Sequence, residues 1–115
     1  MTNLDLMNRI SEFSRLRDWD QFHTPKNISM ALSVEASELM ENFQWDRDAD
    51  TPDQYSEKKL VNIQHEMADV YIYLLKLASI LNVDLDELAT KKLKINEQKY
   101  PIELSKGNSK KYTEL

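Results

Sequence analysis

The sequence predicts an all-α fold, an antiparallel four-helix bundle, on three observations. Apolar residues recur at steps of three and four through four separate stretches. No run of β-type alternation competes with them. The 115 residues include one glycine, Gly107, so the tight hairpins of an antiparallel sheet have almost no turn residues to use.

The first helix is expected from about Asn3 to Asp18, where Leu6, Ile10, Phe13 and Leu16 keep helical spacing. Thr24 followed by Pro25 supplies an N-cap and a favoured first-turn residue for a second helix, which continues to about Phe43 through Ile28, Leu32, Leu39 and Phe43. Asp46 to Asp53 has loop composition, with Pro52 among its aspartates. A third and longest helix begins near Ser56 and is stopped by Asn82. Its positions Leu60, Ile63, Met67, Val70, Leu74, Leu77 and Leu81 form a seam of alternating four and three steps. Ile72, Tyr73 and Leu75 are apolar off that seam, which predicts burial on several sides, within a bundle or an oligomer. Asp84 and Glu87 read as an acidic capping box for a fourth helix running to about Lys99, which Pro101 stops. Residues 1–115 read as one domain, with about 101–115 a tail along the surface.

Composition narrows the function classes. With a net charge of −5 and acids and bases interspersed, the surface is unsuited to holding a nucleic-acid duplex by phosphate neutralisation. The Walker-A loop and the dinucleotide fingerprint both need several glycines and are excluded, so any phosphate binding must come from side chains and metal. The absence of cysteine excludes disulfides and thiolate metal sites and suits a cytoplasmic location. The polar, amphipathic start is not expected to be a secretory signal, and the apolar stretch Val70 to Leu81, broken by Lys76, is too short for a membrane span.

The chemistry resides in two pairs of acids. At about 100° per residue, Glu35 falls within about 20° of Ile28, in the middle of the second helix's apolar stripe, with Glu38 on its shoulder. Glu66 and Asp69 repeat the spacing on the third helix, on a flank shared with Tyr73 and Ile80. An isolated buried carboxylate is costly and persists when paired, hydrogen-bonded or bound to a cation. Four hard oxygen donors suit Mg²⁺, with Mn²⁺ as the alternative. A di-iron bundle site would need Glu-x-x-His pairs, and the two histidines, His23 and His65, do not form them.

The pattern Glu35-x-x-Glu38 followed by Glu66-x-x-Asp69 resembles the signature of the all-α nucleoside triphosphate pyrophosphatases, the MazG-like superfamily. The stretches RDWDQFHTPKNISMALSVEASELMENFQW (Arg17 to Trp45), EMADVYIYL (Glu66 to Leu74) and KLKINEQKYPIELSKGNSKKYTEL (Lys92 to Leu115) are similar to its dCTP pyrophosphatase branch. The resemblance implies Mg²⁺-dependent cleavage between the α and β phosphates of deoxynucleoside triphosphates, with dCTP or a modified dCTP the expected substrate, and a homotetramer with no nucleic-acid or membrane partner. It implies that Glu35, Glu38, Glu66 and Asp69 hold metal, that Glu38 is a candidate general base, and that Lys92 and Asn96 meet triphosphate and nucleoside. Trp19, Trp45 and Tyr73 are assigned to the nucleoside pocket, with Trp19 completing a neighbour's site. Lys99 lies on the same stripe of the fourth helix as Lys92 and Asn96 and is a further substrate-binding candidate, and Lys110 and Tyr112, with Lys106 and Lys111, are expected to close over the phosphates. Ile10 stands where similar enzymes carry histidine, nine residues before the tryptophan, and His23 reads as a partly exposed loop residue. Two other readings stay open: a non-catalytic helical interaction module holding a structural cation, or a related bundle enzyme acting on dUTP or phosphoribosyl-ATP.

Overall fold

The computed structural model describes residues 2–46 and 51–115; positions 47–50 of the loop expected between the second and third helices therefore lie outside the described residues. Among the described residues five α-helices follow in the order α1 (Asn3–Leu16), α2 (Pro25–Glu41), α3 (Glu57–Leu81), α4 (Leu85–Lys99) and the short α5 (Ile102–Ser105), with 3-10 turns at Pro52–Gln54 and Tyr112–Glu114. There is no strand among the described residues, as the apolar spacing predicts. No helix among them is long and apolar enough to cross a membrane.

Local chemistry sets the boundaries. Thr24 caps α2 by accepting from the Asn27 amide, with Pro25 in the first turn, and Ser56 caps α3 through the Lys59 amide. Two helices end earlier than spacing suggests. α1 stops at Leu16 rather than Asp18, because Asp18 turns into the left-handed region at φ 55°. α2 stops at Glu41 rather than Phe43, where the Asn42 side-chain amide donates to the Glu38 and Leu39 carbonyls and draws the chain into turns. Asn82 closes α3 in the left-handed conformation, a frequent way to satisfy the last carbonyls. Asp84 caps α4 through the Glu87 amide, but the expected reciprocal bond gives way to an ion pair between Glu87 and Lys91 at 2.9 Å. A capping box does form at Thr2 and Asp5, where sequence reading placed none.

The chain divides into two compact units, residues 1–82 and 83–115. In the first, α3 packs chiefly along α2 and more lightly against α1. The Tyr71 hydroxyl donates to Asn3 Oδ1 at 2.8 Å, tying α3 to the start of α1. Ile28, Ile63, Leu75 and Ala78 form the core, and Leu75, off the expected seam, is only 1% exposed. The seam positions Leu60, Met67 and Leu81 are exposed instead. A single chain presses one side of α3 against α2, and the centre of that contact falls between the two apolar rows that the sequence displays. Lys76, which interrupts the apolar run, is buried beside Leu75 and reaches Asp20.

The second unit holds α4, α5 and the chain end. The expected tail is partly ordered into α5 and the final 3-10 turn, and the Tyr112 ring packs edge-on to Tyr100 at 6.2 Å and beneath the Lys99 ammonium at 4.7 Å.

Because Leu75 sits at the centre of the α2–α3 contact, Leu75→Ala should destabilise the fold by about 2–5 kcal/mol, the range for truncating a buried leucine. Urea denaturation followed by circular dichroism measures it, and a shift smaller than that of Leu60→Ala would place the core on the seam after all.

Candidate active site

The α2–α3 packing brings three of the four predicted acids together. One oxygen each from Glu35, Glu38 and Glu66 lies within 4.8 Å of the others. Glu35 and Glu66 are half-buried and Glu38 is exposed. Asp69 stands one turn further along α3; it lines a cavity with Glu35, and its charge acts on both Glu35 and Glu66. The helix spacing explains this placement: residues three apart share a face, so two such pairs on packed helices must converge.

The cluster is electrostatically unsatisfied. Burial, then a hydrogen bond to Glu38 and the charges of Glu38, Asp69 and Glu66, push the Glu35 carboxyl up to about 7. Burial and the neighbouring charges of Glu38 and Asp69 also raise Glu66. Oε2 of Glu35 and Oε2 of Glu66 are both buried without a hydrogen-bond partner. Orphaned carboxylate oxygens in a cluster of like charge fit a hard divalent cation, which would satisfy them and reverse the repulsion.

Two hollows flank the acids. On one side a cavity of ≈ 210 Å³ is lined by Ile10, Phe13, Trp19, His23, Ile72, Tyr73 and Lys76, together with Ser14, Glu35 and Asp69. On the other, an open polar groove is lined by Glu38, Glu41, Asn42, Asn62 and Glu66. The aromatic cavity is smaller than the roughly 300 Å³ at which pockets for whole drug-sized ligands begin, a size suited to one planar ring. Phe13 meets Trp19 edge-on at 5.7 Å, and Arg17 covers the Phe13 ring at 3.7 Å. Ile10 gives the cavity an apolar wall.

Trp19 lines a cavity of its own chain. Tyr73 joins it there, whereas Trp45 does not: it is 91% exposed and held at φ 65° in the turn after α2. Lys92, Asn96, Lys99, Lys110 and Tyr112 belong to the second unit. Within that unit Lys92 is exposed, Asn96 and Lys99 share its stripe of α4, Lys99 engages the Tyr112 ring, and the Lys110 amide donates to Asn108.

Sequence reading missed two cavity groups. His23 is half-buried with its ring edge-on to Trp19 at 6.2 Å, and its buried Nδ1 has no hydrogen-bond partner. Burial and the nearby Lys76 ammonium push its pKa down against the pull of Asp20, so the ring is neutral at pH 7. Lys76 lines the same cavity and donates to Asp20 Oδ1 at 3.0 Å. The available signal was the lysine inside an apolar run, which needs a counter-charge when buried.

The MazG-like family profile matches residues 30–115, from early α2 through both acid pairs to the end of the chain. The chain belongs to the MazG-like family. It is 43% identical over 112 residues to dCTP pyrophosphatase 1 of Rattus norvegicus and 42% identical to that of Homo sapiens, alignments covering 96% of this chain. The chain spans 66% of the length of those relatives. The crystal structure of a pyrophosphatase from Archaeoglobus fulgidus superimposes with a TM-score of 0.78 at 38% identity, covering 84% of this chain and 90% of that one. The profile of the MazG-like family begins beyond Ile10, Trp19 and His23, so half of the aromatic cavity is built from residues that precede it.

The raised Glu35 pKa has a consequence for stability in the absence of metal. Its folded value, about 7, lies above the ordinary 4.5, so the proton-bound form favours the fold. That contribution is full below pH 4.5 and is lost as pH rises through about 7. Thermal unfolding in chelator should therefore show a melting temperature that falls between about pH 5 and 8, and Glu35→Gln should flatten the fall. An identical slope in both proteins would mean that Glu35 titrates normally.

Proposed function

We propose that this chain is a Mg²⁺-dependent nucleoside triphosphate pyrophosphohydrolase that cleaves the α–β phosphate bond of deoxynucleoside triphosphates, dCTP or a modified dCTP foremost, to a monophosphate and pyrophosphate. The observation that carries the reading is the convergence of Glu35, Glu38 and Glu66 beside a ring-sized aromatic cavity. The relatives named dCTP pyrophosphatase support the substrate class.

Glu35, Glu38, Glu66 and Asp69 would hold the ion. When bound, Mg²⁺ neutralises the phosphates and lowers the pKa of an attacking water. The remaining work falls to side chains. Trp19 and Tyr73 offer the base an aromatic enclosure, and exposed Trp45 supplies a further stacking surface. Glu38, the exposed member of the cluster, accepts a proton from the water as it adds to the α-phosphorus. As the bond from that phosphorus to the β-bridging oxygen breaks, Lys92 stabilises the negative charge left on pyrophosphate. Asn96 contributes a polar contact to the nucleoside, and Lys99, Lys110 and Tyr112 act on the phosphates.

The rest of the reading follows from this role. Residues 1–115 act as one catalytic domain. A cytoplasmic enzyme of nucleotide-pool housekeeping suits a cysteine-free chain. Met30, Val34, Met40, Met67 and Leu81 are exposed on α2 and α3, which supports assembly into a homo-oligomer, a tetramer by family resemblance.

Pyrophosphate release from a panel of deoxynucleoside triphosphates, dUTP and phosphoribosyl-ATP, with and without Mg²⁺, tests the reading. Turnover should require the metal and be fastest with dCTP or its 5-substituted forms. Glu35→Gln and Asp69→Asn should each lower it on the order of a hundredfold or more while helicity is retained. Lack of pyrophosphate release from every nucleotide, with Mg²⁺ bound, would favour the non-catalytic interaction module.

A further inference from the structure

Each tryptophan of the chain is followed directly by aspartate, and each of those aspartates is ion-paired to a lysine of α3. Trp19 is followed by Asp20, whose Oδ1 accepts from Lys76 Nζ at 3.0 Å across 56 positions of sequence. Trp45 is followed by Asp46, which pairs with Lys59. The Lys59 ammonium also lies 4.5 Å from the centre of the Tyr55 ring and 5.8 Å from that of Phe43. Lys59 and Lys76 thus bracket Glu66 and Asp69 along one helix and hold the two Trp-Asp steps on either side of α2.

Both steps need holding. Asp18, immediately before Trp19, has φ 55°, and Trp45 itself has φ 65°. Non-glycine residues in this region are uncommon, and for a bulky side chain the conformation persists only when its surroundings over-determine it. The Trp19 amide bonds to the Ser14 carbonyl at 3.0 Å, and the Trp19 and Asp20 carbonyls accept from the Phe22 and His23 amides at 2.9 and 3.2 Å, so the backbone here is held by single turns rather than by a helix until α2 begins. Lys76 is also an expensive way to fill its position. It is 7% exposed between Leu75 and Leu77, where an aliphatic side chain would pack without loss of hydration. A buried ammonium that reaches out to a half-exposed carboxylate contributes geometry that a hydrophobic residue could not.

We propose that Lys76 and Lys59 are positioning residues: each locks one Trp-Asp step in its strained turn and so fixes how the two indole rings meet the nucleoside. The proposal deepens the nucleotide reading above and rests on it for the identity of the ligand. The two clamps act separately, Lys76 on the ring that lines the cavity and Lys59 on the exposed ring.

With only two tryptophans in the chain, the clamps can be read one at a time. Trp45→Phe leaves Trp19 as the sole indole, and Trp19→Phe leaves Trp45. In the first background Lys76→Met should lower the residual fluorescence anisotropy of Trp19 by about half on the nanosecond scale, while Lys59→Met leaves it unchanged. In the second, the pattern should reverse. Lys76→Met retains the length of the buried stem, and Asp20→Asn, at an exposed carboxylate, asks the same question should the lysine variant not fold. Equal loosening of both rings by either variant, or no loosening, would overturn the clamps. With the native tryptophans, Lys76→Met should raise KM for dCTP about tenfold with kcat changed less than about twofold, and Lys76→Arg should restore KM. A crossed anisotropy pattern with unchanged KM would overturn the link to the nucleoside. Absence of hydrolysis by the wild type, with the crossed pattern intact, would sink the nucleotide reading and leave the clamps standing.

Discussion

The structure turns on the confinement of like charges between α2 and α3. Ile28 and Leu75, the two most deeply buried side chains, press the helices together, and that contact fixes Glu35, Glu38 and Glu66 within a few ångströms of one another. Apolar burial supplies the force, and what it overcomes, desolvation of the carboxylates first and their mutual repulsion second, appears in the upward displacement of Glu35 and Glu66. A protein could relieve such repulsion by placing an arginine or lysine in the cluster. No ion pair to these acids occurs among the described residues, so the cluster keeps its negative field.

Two lysines of α3 are used elsewhere. Lys59 and Lys76 pair with aspartates at the two ends of α2 rather than with the acids that lie between them on their own helix. This separation keeps two kinds of surface apart. The acid cluster borders a polar groove on the Glu38 and Glu66 side and an aromatic cavity on the Glu35 and Asp69 side. A ligand with a planar apolar end and a polyanionic end needs that division, because stacking and metal-mediated phosphate binding ask for opposite environments. The neutral imidazole of His23 and the apolar wall of Ile10 keep the aromatic side free of further charge apart from Lys76, which Asp20 occupies.

What the sequence by itself determined was the helical class, the approximate positions of the four long helices, and the two acid pairs. These rest on local rules: apolar spacing, cap residues, and the fact that residues three apart on a helix share a face. The resemblance carried by the same segments was equally legible, since it resides in contiguous residues. Tertiary structure decided the rest. Which row of α3 is core depends on the angle at which α2 crosses it, and so Leu75 is buried while Leu60 and Met67 are not. The partners of Lys76 and Lys59 stand far away in sequence, in turns whose left-handed residues are aspartate and tryptophan rather than the glycine that would announce them. For the same reason the cavity that joins Trp19 and His23 to Tyr73 and Asp69 could not be read from spacing. Its walls come from separate helices and a connector, and only their packing gives it a position.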